Sequence, residues 1–255
     1  MLGMIAAAAS AVLIGWMIYE AHSSRVIEKT IVLDTLPQTF DGKKIFFVSD
    51  IHRRKISSMF NEALKQSDWI FIGGDLLERG VPKKRVQENI RMLRQFGSVY
   101  FVFGNNDYDM RKEELLSLLE QEQVVVLENR TVKETIGGHS IYFAGVDDLA
   151  EGTPNLNAAC IPSKEECTIL MVHNPDFVNH MDQSQLSKLS LILSGHTHGG
   201  QIRIGPFGIR QKGGWYNVSG VPLLISNGYG ATHLPLRLCA KSQSHLIMLK
   251  AKSLH

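Results

Sequence analysis

Apolar and polar positions along the 255-residue chain fall into three regimes. Residues 1–19 carry no charge and no amphipathic period; they are Ala, Ile, Leu, Val and Met for the most part, with Trp16 and Tyr19 near the end. That length approaches the ~20 apolar residues a membrane helix needs, and a Trp/Tyr pair suits a headgroup interface. In the second regime short unbroken apolar runs alternate with helix-period segments. Residues 44–48, 69–72 and 99–103 lack polar alternation, which predicts strands covered on both faces. Between them, residues 59–66 and 86–94 have the period and length of crossover helices, so the rhythm is that of βαβ units in a parallel sheet. Residues 111–123 predict a further amphipathic helix leading into 124–127.

In the third regime the period shortens. Residues 132–136 and 141–146 flank Gly137-Gly138 and predict a hairpin, and 151–163, rich in Pro, Asn and Gly, reads as an exposed loop. Residues 168–172 and 189–193 predict buried strands, the first followed by Asn174 as a cap and Pro175 at the first position of a short helix. Runs at 201–204, 209–210, 215–218, 223–226 and 245–249, separated by Gly and Pro, predict a mainly antiparallel second half. The implied organisation is an anchor over 1–22, a linker (20–29) and first strand (30–33) within 23–42, and one α/β domain over 43–250.

Composition narrows the function. With 44% hydrophobic residues the chain can bury one sizeable core, and a net charge of +2 supplies no basic stripe, so nucleic acid is not expected as a partner. Cys160, Cys167 and Cys239 are odd in number and without CxxC spacing, which implies no disulfide framework. The amino-terminal segment lacks the basic n-region of a signal peptide, although Ala21-His22-Ser23 offers small residues for cleavage. An uncleaved single-pass anchor in the cell membrane is favoured. Arg25 and Lys29 follow the segment and no Lys or Arg precedes it, a lean towards a cytoplasmic domain that leaves the side open.

Chemistry concentrates where the apolar runs stop. Asp50 and His52, Asp75, Asn105, His173, and His196 with His198 each stand at such an end. Any one of them alone reads as an ordinary turn residue, and an isolated His-x-His as two backbone-bonded imidazoles. In parallel sheets, however, sites form at the carboxyl ends of strands, and all seven fall there. Two divalent cations sharing a site need a bridging carboxylate, flanking neutral nitrogens and an open edge for water and substrate. Asp75, alone on its strand end, is the natural bridge. Imidazole, carboxylate and amide together suit Mn, Fe, Zn or Co rather than an all-oxygen Mg or Ca cage.

The blocks Asp50-Ile-His52, Gly74-Asp75, Gly104-Asn105-Asn106-Asp107, Val172-His173 and Gly195-His196-Thr-His198 resemble the calcineurin-like metallophosphoesterase superfamily. Gly199-Gly200-Gln201, Asn227-Gly-Tyr-Gly230 and Leu234-Pro-Leu-Arg237 are similar to its membrane-associated or exported bacterial members. The resemblance covers about residues 43–249. It implies a four-layer α/β/β/α sandwich, preceded here by the amino-terminal helix. It also implies one metal on Asp50, His52, Asp75 and His198, a second on Asp75, Asn105, His173 and His196, and in-line attack of a metal-bound hydroxide on a phosphomonoester or phosphodiester. The Asn105 amide would then help stabilise charge on the phosphoryl oxygens. The expected substrate is a phosphoester, lipid- or nucleotide-linked. Three departures stand out. Asn106 replaces the family's histidine, the general acid or phosphate contact; Glu78 stands where a second aspartate is common; and His233 is unusual at its place. Asn105, Asn106 and His233 are therefore the candidate catalytic residues, and Arg53 and Arg54, beside the His52 loop, the candidate substrate contacts. The alternative is a catalytically weakened metal-binding scaffold that binds a partner protein; Asn106 favours it, and retention of all seven ligands argues against it.

Overall fold

The unbroken apolar runs form the inner strands of two six-stranded sheets. In the computed structural model, which describes residues 1–252, the strands in chain order are β1 (Val26–Leu33), β2 (Lys44–Val48), β3 (Trp69–Ile72), β4 (Ser98–Phe101), β5 (Val125–Val126), β6 (Arg130–Ile136), β7 (His139–Gly145), β8 (Cys167–Met171), β9 (Leu191–Ser194), β10 (Arg203–Ile204), β11 (Phe207–Gly208), β12 (Gly214–Val218), β13 (Val221–Ile225) and β14 (Ser244–Ala251). The helices are α1 (Leu2–His22), α2 (Asn61–Gln66), α3 (Lys83–Arg94), α4 (Lys112–Gln121) and α5 (Gln183–Leu186). One sheet runs β1-β14-β2-β3-β4-β5 and the other β12-β13-β9-β8-β7-β6; among the described residues β10 and β11 pair only with each other.

Successive residues of a covered strand serve opposite faces, and this builds the layers. Phe47, Phe71 and Tyr100 face inward and meet Phe143, Ile169 and Leu193 of the second sheet. Phe143 sits edge-on to Phe71 and Tyr100, with ring centroids 4.8 and 5.1 Å apart, as aromatic quadrupoles prefer. Their neighbours Phe46, Ile70 and Val99 face outward and are covered by Val86, Ile90 and Leu93 of α3 and Leu115 and Leu119 of α4. On the far side Leu170, Ile192 and Leu223 pack under Phe177 and Leu186. The result is the four-layer α/β/β/α arrangement. Its fourth layer is thin, consisting of α5 and the 3₁₀ turn Pro175–His180, which the Asn174 side chain caps by accepting from Asp176 N.

Two sequence expectations change. The second half is not mainly antiparallel: β7, β8, β9 and β13 are successive parallel neighbours, and antiparallel pairing in that sheet is confined to its two margins, β6–β7 and β12–β13. β8 and β9 are buried on both faces, the setting in which strands are joined by crossovers rather than hairpins. The residues expected as a linker up to Lys29 are instead the end of α1 and the start of β1, which pairs in parallel with β14 along its whole length. Glu28 and Lys29 lie exposed on this edge strand, and their charges discourage further strand addition.

Helix α1 is long and apolar enough to cross a membrane. Residues 1–16 are exposed, but Met17, Glu20 and Ala21 are buried against the domain. Arg54 donates to the carbonyls of His22 and Ser23 at 2.8 and 2.9 Å and reaches that of Ala21 at 3.3 Å, while Arg237 N donates to Met17 O. The Arg54 donors occupy carbonyls at the helix end that have no partner within the helix.

Candidate metal centre

All seven candidate ligands lie just past the carboxyl ends of their strands: Asp50 and His52 after β2, Asp75 after β3, Asn105 after β4, His173 after β8, His196 and His198 after β9. Each strand stops where the backbone turns sharply. Asp50, His52, Asp75, His196 and His198 have φ of 55°, 52°, 53°, 67° and 49°, a left-handed conformation that costs an L-residue about 1–2 kcal/mol. Such strain persists where the surroundings over-determine it, and it clusters at functional sites. Gly199 and Gly200 adopt the left-handed conformation without a Cβ penalty, at φ of 60° and 79°, but the histidines adopt it as well. Gly195 and Gly104 supply room instead, since a Cβ there would lie 2.6 Å from Asp50 Oδ2 and 2.4 Å from Asp75 Oδ1.

The ligands form two clusters that share one oxygen. In the first, His52 Nε2 and His198 Nε2 are 3.1 Å apart, Asp50 Oδ1 is 3.3 Å from His198 Nε2, and Asp75 Oδ2 is 3.6 Å from His52 Nε2. Ligand atoms of these four residues all lie within 4.8 Å of one another. In the second, His173 Nε2 is 3.3 Å from Asp75 Oδ2 and from His196 Nδ1, and His196 Nδ1 is 2.9 Å from Asn105 Oδ1. Outer groups orient the set. His173 Nδ1 bonds Gly73 O at 2.8 Å, which leaves Nε2 as the nitrogen free to ligate, and His52 Nδ1 faces Glu78 Oε2 at 3.1 Å. Asn106 grips the shared carboxylate twice, from its backbone N to Asp75 Oδ1 and from Nδ2 to Oδ2, both at 2.8 Å. Buried Asp107 accepts from the backbone N–H of Asp75, Gly104 and Leu77, tying two strand ends together.

Electrostatics divide the four imidazoles. Burial works against protonating His173, yet Asp75 and Asp50 beside it push its pKa up to about 10. His52 is raised likewise, against its burial, by Glu78 and the same two aspartates. Burial and neighbouring cations push His196 down to about 4 and His198 well below the ordinary value. Burial would raise Asp75 as well, but His173, His52 and Asn106 hold it well below the usual carboxylate range. Asp107, buried beside Asp75, is pushed up to about 7.

The residues fit a metal. Asp50 Oδ2 is buried without a hydrogen-bond partner among the described residues, and two pairs of imidazole nitrogens point at each other, which is favourable only with a proton or cation between them. Nitrogen and oxygen donors together suit first-row divalent ions.

A cavity of about 320 Å³ opens over the clusters, lined by Asp75, Asn105, Asn106, His196, Arg210 and His233 among others. His233 stands exposed at its rim and also lines a second cavity of about 420 Å³ with Arg53, Arg54, Lys55 and His22. Arg53 and Arg54 do not line the metal cavity. Arg53 pairs with Glu78, and Arg54 lies over the Tyr229 ring at 3.6 Å with its donors turned to the end of α1. The cation that does line it, Arg210, sits 3.0 Å from His196 Nε2 and belongs to no motif in the sequence. Arg237, fully buried, reaches His198 Nδ1 at 3.0 Å and gathers the carbonyls of Asn227, Gly230 and Ala240.

Residues 43–200 match the family model for calcineurin-like phosphoesterases. The chain belongs to that family. Among similar proteins, the uncharacterized protein YpbG of Bacillus subtilis (strain 168) is 42% identical, over 80% of each chain. The uncharacterized metallophosphoesterase YkuE of the same organism is 29% identical over 91% of this chain and 87% of its own. A transmembrane protein with metallophosphoesterase domain from Danio rerio is 28% identical over 92% of this chain and 59% of its own. Among solved structures, the NAD nucleotidase NadN of Haemophilus influenzae matches with TM-score 0.51 and 15% identity, over 74% of this chain and 45% of that one. At that identity the likeness concerns the fold. This member of the calcineurin-like phosphoesterase family therefore presents its motifs as two adjoining, largely buried clusters of candidate ligands.

Proposed function

We propose that this calcineurin-like phosphoesterase hydrolyses phosphomonoester or phosphodiester bonds with two divalent cations of the Mn, Fe, Zn or Co type. The observation that carries this is Asp75 Oδ2, which faces His52 of one cluster and His173 of the other and so can serve both. Asp50, His52, Asp75 and His198 would hold one ion, and Asp75, Asn105, His173 and His196 the second. When bound, the ions supply Lewis acidity and a nucleophile at neutral pH. The chain's own residues do the rest. Asn106 fixes the Asp75 carboxylate, and Asn105 and Arg210 face the cavity, where an amide and a guanidinium stabilise charge on phosphoryl oxygens. His233 is the cavity imidazole outside both ligand clusters among the described residues, which suits it to protonate a leaving group. Helix α1 anchors the domain in the cell membrane; its exposed apolar face and the transmembrane relative support this.

The test is Asp75→Asn, assayed for bound metal and for cleavage of bis(p-nitrophenyl) phosphate. Loss of turnover with reduced metal content is expected; two metals retained with normal turnover would reject the bridge. A second reading is a metal-binding scaffold with weakened catalysis. It is favoured by the Asn106 side chain, which is spent on Asp75 where a family histidine would be available to substrate. A metal-loaded protein without turnover on any mono- or diester would support it.

A further inference from the structure

The hairpin of β10 and β11 is short, pairs with neither six-stranded sheet among the described residues, and carries large apolar side chains into solvent. Ile204 and Phe207 are each 77% exposed, Ile209 89% and nearby Leu234 66%. Scattered apolar residues are ordinary on a surface, but a cluster of this kind marks a contact site. A continuous path links this hairpin to α1. Arg237 N bonds Met17 O; the next residue, Leu238, pairs with Gln201 and Arg203 at the hairpin's base; and Gln201 Nε2 reaches Leu234 O at 3.1 Å.

Helix length then places the hairpin. The 21 residues of α1 span ~31 Å at 1.5 Å each, close to the ~30 Å hydrocarbon core. The part free of the domain ends before Met17 and covers only ~22 Å. If α1 crosses the bilayer, its last turns must lie at membrane depth. The domain face docked on Met17, Glu20 and Ala21 then meets the headgroup layer.

We infer that the β10–β11 hairpin, with Leu234, is a second membrane contact, inserting Ile204 and Phe207 among the lipids beside α1. Ile209 and Arg210, which follow the hairpin, line the metal cavity, so this contact sets the cavity mouth at the lipid surface. The phosphoester best placed to enter is carried on a lipid. The inference rests on the anchor reading above, and its failure is separable from the failure of that reading.

The test uses full-length protein in vesicles of phosphatidylcholine and phosphatidylglycerol (3:1) containing brominated phosphatidylcholine. Quenching of Trp16 reports α1, measured as the difference between the native protein and Trp16→Phe. Quenching of the indole introduced by Phe207→Trp in the Trp16→Phe background, measured as the difference from Trp16→Phe alone, which retains Trp69 and Trp215, reports the hairpin. Phe207 is exposed and remains aromatic, so folding is preserved. At least a twofold loss of the introduced emission is expected, alongside quenching of Trp16. Quenching of Trp16 without quenching at position 207 overturns the hairpin contact and leaves the anchor. A blue-shifted but unquenched emission at position 207 assigns the face to a contact between copies of this chain and also overturns it. Absence of quenching at both positions removes the anchor and this inference together.

Discussion

Asn106 holds the shared carboxylate through both its backbone N and its side-chain amide, so two roles can be separated there by mutation. Asn106→Ala removes one donor from Asp75 and should weaken metal binding by ~10–100-fold, the usual cost of losing a group that orients a ligand; chelator competition measures it. Asn106→His restores a titratable group and should raise turnover on alkyl esters, which need a proton on the leaving group, with little effect on nitrophenyl esters; general acid assistance is worth ~10²–10⁴ in rate. If His233 already supplies that proton, His233→Ala abolishes alkyl-ester cleavage and spares nitrophenyl esters. If neither change discriminates between leaving groups, proton donation comes from neither position. The candidate ligands are legible in the sequence because each stands where an apolar run stops, and the fold gathers those stops at one edge. The direction of Arg54 is not legible in the sequence, because adjacency to His52 in a loop does not say where a side chain points, and it turns to α1. Arg210 was missed because only the tertiary path of its loop brings it to His196.

Among the elements, strands are visible as apolar runs, and so are the parallel pairing of β2, β3 and β4 and the β6–β7 hairpin; the parallel pairing of β8, β9 and β13 is not, because an unbroken run looks the same in a parallel crossover and in a buried hairpin. The join between α1 and the domain was equally hidden, being made by Arg54 from a distant loop. Arg54→Ala should remove the donors to His22 and Ser23 and the stacking on Tyr229, lowering stability by about 2–4 kcal/mol in thermal unfolding. Arg54→Lys should recover little, since an ammonium cannot reproduce the planar fork. Strand β14 carries a separate signature. His245 is buried against Phe47 with Nε2 on Ser226 Oγ, and burial pushes its pKa down to about 3. A lowered histidine contributes stability that is present above its unfolded value near 6.5 and is lost as pH falls towards 3, at about 1.4 kcal/mol per unit. His245→Phe should therefore flatten the fall in melting temperature between pH 6 and pH 4; an unchanged slope would assign acid unfolding to other groups.

At the scale of the whole molecule, the site joins the two sheets, with four ligands after strands of the first and three after strands of the second. Binding a cation across that seam should stabilise the entire domain, by about 4 kcal/mol when free metal is a thousandfold above its dissociation constant. The gain depends on pH in a definite direction. In the metal-free chain Asp75 and Asp50 favour the protonated forms of His173, raised to about 10, and of His52, also raised. The stability these protons contribute is complete below about pH 6.5 and is lost as pH rises through the raised values. A metal must displace the same protons before it can use the imidazoles, so binding releases them and tightens as pH rises. Each proton released makes affinity rise about tenfold per pH unit, so competition with a zinc chelator between pH 7 and pH 8 should show a ten- to hundredfold gain after correction for the chelator's own protonation. Calorimetry in buffers of different ionisation enthalpy counts the protons directly, and one to two are expected. Across pH 7 to 10 the melting temperature of the metal-free protein should fall while that of the loaded protein holds. An affinity independent of pH would mean that His52 and His173 are neutral before metal arrives, and that the facing imidazole pairs are not held together by protons.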